Sequence, residues 1–93
     1  MEIQIDPHTL ACAVERGASE EEIREVINAG FSVPAKYGRM GKGKIYTFQN
    51  TRHGRYYEQK RVEVFYIVER SEIVTVTIYV FYGKWEQEHA DSL

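Results

Sequence analysis

Two consecutive stretches rich in β-branched and aromatic residues, 60–70 and 72–82, constrain the fold of this 93-residue chain more than any other feature. Such side chains suit the pleated, half-buried surface of a strand and lose rotamer freedom in a helix. Only a short polar segment at residues 69–72 interrupts them, so we predict one long antiparallel hairpin. This hairpin is expected to form the centre of a sheet.

The second stretch alternates strictly between aliphatic residues and threonine or aromatic residues. Because successive strand residues point to opposite faces, the pattern separates a buried set from an exposed set. The set predicted to be buried is Val74, Val76, Ile78 and Val80. The set predicted to be exposed is Thr75, Thr77, Tyr79 and Phe81.

A first helix is predicted over residues 7–16. Asp6 can accept a backbone N–H as the N-cap, Pro7 is tolerated at the first helical position, and Gly17 suits a left-handed helix end. The apolar stripe through Leu10 and Val14 is expected to pack on the sheet.

A second helix is predicted over residues 19–29. Ser19 and Glu22 have the spacing of a capping box, in which each side chain satisfies the other residue's backbone N–H. Gly30 is expected to close this helix. The two-residue link between the helices predicts a helical hairpin.

The segments between the helices and the hairpin are less regular. Residues 36–43 form a basic, glycine-rich stretch, whose glycines allow either close approach to a phosphate or plain loop flexibility. Residues 44–49 are predicted to be a strand, 50–54 a turn, and 55–59 a strand or an irregular approach to the hairpin. The polar tail at 86–93 is predicted to be flexible.

These elements predict one α+β domain spanning residues 1–93. Two N-terminal helices are expected to pack on one face of a three- to four-stranded antiparallel sheet. The apolar runs are too short for a transmembrane span, and the start lacks the pattern of a signal peptide, so we expect no membrane partner. A single cysteine excludes an intramolecular disulfide and fits a cytoplasmic location.

The charges are unevenly distributed along the chain. Residues 36–61 carry eight basic residues and one acid, a balance of +7, whereas the remainder sums to −9. Such asymmetry predicts a positive surface that attracts a polyanion. The alternative is that the two blocks neutralise each other within the fold or across a homodimer.

Metal chemistry is not expected from the pattern of potential ligands. His8 and Cys12 are four residues apart on one helix, but two ligands are half a site, and no second pair follows. We therefore expect no metal and no cofactor.

RNA cleavage without a metal needs only a base, an acid and cations around the phosphorane-like transition state. Residues suited to these roles are predicted on or near one sheet face, and Tyr56 and Tyr57 are available to stack on bases. The residues of that face are Arg61, Thr75, Thr77, Tyr79 and Lys84. The alternative is that threonine and tyrosine are present because they suit strands.

Several of these motifs together resemble an uncharacterised bacterial domain family of RelE/ParE-like toxin fold. They are His8 with Arg16, the Gly-Ala-Ser-Glu-Glu-Glu-Ile start of the second helix, a Lys-Arg-Val-Glu-Val strand and a closing Ile-Val-Thr-Val-Thr strand. The resemblance covers roughly residues 6–85. It places His8 and Arg16 on the family's helix-one His and Arg, and Thr75 and Thr77 on its last-strand threonines. It implies two helices against a twisted antiparallel sheet.

The resemblance implies a toxin-like, metal-independent endoribonuclease of a toxin–antitoxin or related system. In this hypothesis Arg61 and Lys84 stabilise the phosphate, Tyr79 or Tyr82 assists proton transfer, and His8 with Arg16 contributes or only orders the first helix. The residues expected to bind RNA are Lys36, Arg39, Lys42, Lys44, Arg55 and Lys60. The alternative is a non-catalytic RelE-like binding module for RNA or for a protein partner such as an antitoxin.

Overall fold

The computed structural model describes residues 1–85, in which two helices pack on one face of a five-stranded sheet. The elements in chain order are β1 (Glu2–Gln4), α1 (Pro7–Arg16), α2 (Glu20–Ala29), β2 (Phe31–Val33), β3 (Met40–Arg52), β4 (Arg55–Glu69) and β5 (Glu72–Gly83). The predicted flexible tail at 86–93 lies outside the described residues.

The sheet is mixed, with the strand order β1-β5-β4-β3-β2. β1 runs parallel to β5, and the other neighbouring strands are antiparallel. The prediction of a three- to four-stranded antiparallel sheet is therefore wrong. β1 and β2 have three residues each, too few for periodicity to identify. A hydrogen bond just after β1 in the chain holds this strand beside β5, since Asp6 N–H donates to Thr75 Oγ1 at 2.9 Å.

Both predicted helix starts are confirmed, because local side chains satisfy the first backbone N–H groups. The Asp6 carboxylate accepts from the N–H groups of His8 and Thr9 at 3.0 and 3.3 Å. Ser19 and Glu22 form both hydrogen bonds of the capping box. Caps of this kind stabilise a helix by about 1 kcal/mol.

The long hairpin of β4 and β5 is confirmed, but β3 begins earlier than predicted and takes in part of the glycine-rich stretch. A methyl group on Gly41 would lie 2.7 Å from the Val33 carbonyl oxygen, and one on Gly43 would lie 2.9 Å from the Phe31 ring. These glycines therefore permit close packing beside β2 rather than a flexible loop.

A β-bulge interrupts the alternation of β5. Phe65 pairs with Thr77 and Tyr66 with Thr75, which leaves Val76 as the extra residue. As a result Thr75 is buried among the residues that face the helices, whereas Ile78 beyond the bulge is buried as predicted. The prediction that Thr75 is exposed is wrong, because the bulge reverses the facing of the residues before it.

The core lies between the helices and the sheet. α1 presents small residues to β5, since Thr9 and Ala13 are buried while Val14 is 65% exposed. The predicted stripe through Leu10 and Val14 is thus wrong at Val14. The buried apolar residues are Ala13, Ala18, Ile23, Val26, Ile27, Val62, Val64, Tyr66, Ile73 and Ile78.

Candidate functional site

The face of the sheet opposite the helices, called the open face below, has no helix over it within residues 1–85. β4 determines which side chains it presents. Val62 and Val64 are buried under the helices, so Arg61, Glu63 and Phe65 point to the open face. Their in-register neighbours on β5 are Phe81, Tyr79 and Thr77.

Aromatic rings dominate the open face. Tyr79 and Phe81 are each 46% exposed, and Phe31 on β2 is 42% exposed. The Tyr79 ring stacks beside Phe81, with 6.2 Å between centroids, and meets Phe65 edge to face at 5.8 Å. Phe65, Tyr79 and Phe81 therefore form one aromatic cluster, and exposed apolar clusters are favourable places for another molecule to bind.

An ion pair lies among these rings. Arg61 Nε donates to Glu63 Oε2 at 2.7 Å, and the Arg61 guanidinium lies 5.0 Å from the centre of the Phe31 ring. Stacking on Phe31 and pairing with Glu63 together hold the guanidinium in one position. Sequence reasoning did not select Glu63, although its spacing of two residues from Arg61 in a predicted strand places both on one face.

A cleft of about 210 Å³ borders the open face beneath the turn that precedes β3. The sheet contributes Phe65, Thr77 and Tyr79 to its lining. The segment before β3 contributes Pro34, Ala35, Lys36, Tyr37 and Arg39. Two cations and no carboxylate therefore line this cleft.

The six predicted catalytic residues do not converge on one point. Arg61 and Tyr79 lie on the open face, and Lys84 is exposed just beyond the end of β5. Arg16 and Tyr82 lie on the helix side, where the Tyr82 hydroxyl contacts the Arg16 backbone. His8 is exposed on α1, where Nε2 lies 3.6 Å from Cys12 Sγ. The sheet thus separates two of the predicted residues from three others.

Arg16 and Tyr82 are engaged in structural hydrogen bonds. Arg16 Nη1 donates to the Ile78 carbonyl oxygen at 2.7 Å, and the Tyr82 hydroxyl donates to the Arg16 carbonyl oxygen at 2.7 Å. Burial raises the pKa of Tyr82, although the guanidinium of Arg52 opposes this effect. Tyr82 therefore holds its proton at neutral pH and ties β5 to α1.

The predicted RNA-binding cations are divided between the two faces of the sheet. Lys36 and Arg39 line the cleft at the open face. Lys60 is buried on the helix side, where Nζ donates to the Gly17 carbonyl oxygen at 2.7 Å and to Glu22 Oε1 at 3.0 Å. The positive surface predicted from residues 36–61 is therefore divided, because adjacent strand residues such as Lys60 and Arg61 point to opposite faces.

The remaining predicted cations are not part of the open face. Lys44 pairs with Glu25 of α2 at 3.4 Å, and Lys42 pairs in register with the buried Val64 on the helix side. Arg55 is exposed at the start of β4. Acids of α2 thus neutralise part of the basic segment within the fold, as one of the two alternatives for the charge pattern requires.

Comparison with known proteins identifies no relative of this chain. No protein-family model matches it, and neither a curated protein nor a solved structure does so. The RelE/ParE-like resemblance therefore stays a prediction.

Residues 1–85 contain neither a membrane-spanning helix nor a group of potential metal ligands. No helix in residues 1–85 has both the length and the apolar character needed to cross a membrane. Over the same residues, no three His, Cys, Asp or Glu side chains are grouped so that they could hold a metal ion.

Proposed function

We propose that this protein is a non-catalytic module that binds single-stranded RNA on its open face. The observation that carries this proposal is the presence of exposed aromatic rings, Tyr79 and Phe81 on β5 and Phe31 on β2, on a sheet face that no described helix covers. Unpaired bases stack on aromatic side chains presented by a sheet, whereas bases within a duplex are inaccessible to them. The proposal places this activity in the cytoplasm, where a lone cysteine stays reduced.

The arrangement of charge supports a polyanionic ligand despite the net charge of −2. The first turn of α2 carries three consecutive acids, Glu20, Glu21 and Glu22, on the opposite side of the sheet. Lys36 and Arg39 lie at the border of the open face. The two cations at the cleft therefore attract an approaching RNA strand to this border of the open face.

Metal-independent RNA cleavage on the same face is the second candidate, in keeping with a toxin-like ribonuclease. It is favoured by the side-by-side placement of Arg61, Glu63 and Tyr79. In this reaction Glu63 takes the proton of the 2′-hydroxyl, the 2′-oxygen attacks phosphorus, and the 5′-oxygen leaves with a proton from Tyr79. Arg61 stabilises the charge that develops on the phosphorane oxygens.

The binding proposal is tested by fluorescence anisotropy with a labelled single-stranded RNA, the same sequence as DNA, and the RNA duplex. We expect the single-stranded RNA to bind most tightly. Phe81→Ala should weaken binding by about 1–3 kcal/mol, the value of one base–aromatic stack. The control Val14→Ala removes an exposed apolar side chain on α1, on the opposite side of the sheet, and should leave the affinity unchanged.

Three outcomes would contradict the binding proposal. Equal affinity for RNA and DNA would mean that the face does not select RNA. Equal effects of the two substitutions would mean that the open face is not the site. Failure to bind any nucleic acid would leave a protein, such as an acidic antitoxin, as the ligand of this face.

The cleavage candidate is tested by incubating RNA with the protein in excess chelator. Glu63→Gln should abolish cleavage if the second candidate holds, while circular dichroism shows that the variant remains folded. Intact RNA after incubation with the unaltered protein would reject cleavage and leave binding alone.

A further inference from the structure

The cleft at the border of the open face has the size and lining of a site for one aromatic ring. Its volume of about 210 Å³ is below the roughly 300–1,000 Å³ of pockets that enclose drug-sized ligands. Phe65 and Tyr79 line it from the sheet, and Tyr37 lines it from the turn before β3. A planar group can therefore lie between rings that belong to different elements.

The polar groups around the cleft further restrict the chemistry of a ligand that it can bind. Lys36 and Arg39 are both among its lining residues, and no carboxylate is. Thr77 also lines the cleft, and a threonine hydroxyl can donate or accept a hydrogen bond. The chemistry that fits is a planar aromatic ring that carries polar edges and is joined to an anion.

The turn over the cleft holds Tyr37 in an unusual conformation. Tyr37 has φ of 60° and Gly38 has φ of 71°, and Arg39 N–H donates to the Lys36 carbonyl oxygen at 3.1 Å. A bulky residue in the left-handed region is uncommon, and strained residues of this kind cluster at ligand-binding sites. The turn leaves the Tyr37 side chain 85% exposed beside the cleft, with Arg39 5.9 Å from its ring centre.

We propose that this cleft binds a single nucleobase of the RNA strand, with its phosphate held by Lys36 and Arg39. The inference rests on the proposed function and names the subsite at which that binding is strongest. In the bound state Tyr37 covers a base that lies against Tyr79, so the ring that is exposed without ligand becomes part of a sandwich. Phe81 and Phe31 then stack on bases further along the strand.

The experiment compares the effects of two substitutions of exposed side chains on the affinity for single-stranded RNA. Tyr37→Ala should lower the affinity for single-stranded RNA by about 5- to 150-fold, the effect of losing one base stack. Val14→Ala removes an exposed apolar side chain on α1, outside the cleft, and should change the affinity less than twofold. Equal affinities of Tyr37→Ala and the unaltered protein would overturn the subsite while leaving RNA binding on the open face intact.

A second measurement does not depend on the polymer. Nuclear magnetic resonance titration of the full chain with a mononucleotide should shift the amide signals of Tyr37, Thr77 and Tyr79. The same shifts with inorganic phosphate alone would overturn the base site in favour of a simple anion site, and absence of shifts with either would overturn it outright. Shifts with the mononucleotide in a protein that binds no RNA strand would uphold the cleft and reject the proposed function.

Discussion

Two buried threonines, one on α1 and one on β5, differ in whether the side-chain hydroxyl has a hydrogen-bond partner, and this difference should determine how each hydroxyl affects stability. Thr75 Oγ1 accepts a hydrogen bond from Asp6 N–H, whereas the buried Thr9 Oγ1 has no partner among residues 1–85. Thr75→Val should therefore lower the free energy of unfolding by about 1–3 kcal/mol, because the Asp6 N–H loses its acceptor. Urea denaturation measures this change.

The matched substitution Thr9→Val should have the opposite outcome. Valine has the shape of threonine and removes a hydroxyl that gains nothing from burial, so the free energy of unfolding should stay constant or rise by up to about 1 kcal/mol. The same denaturation experiment applies. A loss at Thr9 as large as that at Thr75 would show that the Asp6 contact has no special role.

Tyr46 makes the stability of the protein sensitive to alkaline pH. Burial, reinforced by a 2.8 Å hydrogen bond to Glu25, raises the pKa of Tyr46 well above its ordinary value of 10.0. Because the folded pKa exceeds the unfolded one, this contribution to stability is complete below about pH 10 and is lost as the pH rises further. The free energy of unfolding should therefore fall with pH above this value.

Tyr46→Phe tests this dependence, because phenylalanine keeps the ring and cannot titrate. Between about pH 9 and about pH 11 its free energy of unfolding should fall less steeply than that of the unaltered protein. Tyr56→Phe serves as the control for loss of one exposed hydroxyl. Parallel curves for Tyr46→Phe and the unaltered protein would contradict the assignment.

At the scale of elements, the turn between β4 and β5 stores backbone strain. Arg70 and Ser71 both have left-handed φ values, 52° and 67°, which L-residues other than glycine adopt at an energetic disadvantage. Ser71→Gly should raise the free energy of unfolding by about 0.5–1 kcal/mol, after the added freedom of the unfolded chain is subtracted. Thermal denaturation should show a higher Tm.

The turn between β3 and β4 provides the converse test. Gly54 already occupies a left-handed position, with φ of 80° and open space around its Cα, so Gly54→Ala should lower Tm through backbone strain alone. If both turn substitutions shifted Tm in the same direction, strain at positive φ would not explain the result.

The parts of the fold that were predictable are those determined by neighbouring residues. The capping box of Ser19 and Glu22 depends on a spacing of three residues, and the β4–β5 hairpin depends on adjacent stretches. The bulge at Val76 could not be predicted, because it arises from the pairing of two strands in space. The role of Gly41 could not be predicted for the same reason, since it depends on close contacts with Val33 and Phe65 on neighbouring strands.

Beyond the three-residue strands β1 and β2, the edges of the sheet are formed by β5 and β3, and both are poorly suited to pairing with another strand. A second bulge interrupts β3 between Thr47 and Asn50, and Gln49 within it has a left-handed φ of 46°. At the other edge, the Arg16 side chain donates a hydrogen bond to the Ile78 carbonyl oxygen, so this oxygen already has a partner. Bulges and inward charges of this kind prevent edge-to-edge association. The open face, rather than an edge, is therefore the surface at which a partner is expected.

At the scale of the whole molecule, the sequence showed that charge is segregated but not where each charge lies. Within the basic segment 36–61, the adjacent residues Lys60 and Arg61 lie on opposite faces of the sheet. Only some of the cations of this segment therefore remain available to a ligand. Acids distant in sequence, such as Glu22 and Glu25 of α2, neutralise Lys60 and Lys44. Part of the candidate site was predictable from alternation, whereas its cleft depends on the turn at Tyr37.

The salt dependence of RNA binding measures how many of these cations contact phosphates. For a single strand, log Kobs falls with log salt concentration with a slope of about −0.7 per phosphate contact. Removing Lys36 and Arg39 together by substitution with alanine should therefore reduce the magnitude of the slope by about 1.4. The control double variant Arg24→Ala with Lys44→Ala removes the same charge on the helix side and should leave the slope unchanged. Equal slopes for the two double variants would show that RNA senses only the net charge, and the proposed orientation of the strand would be wrong.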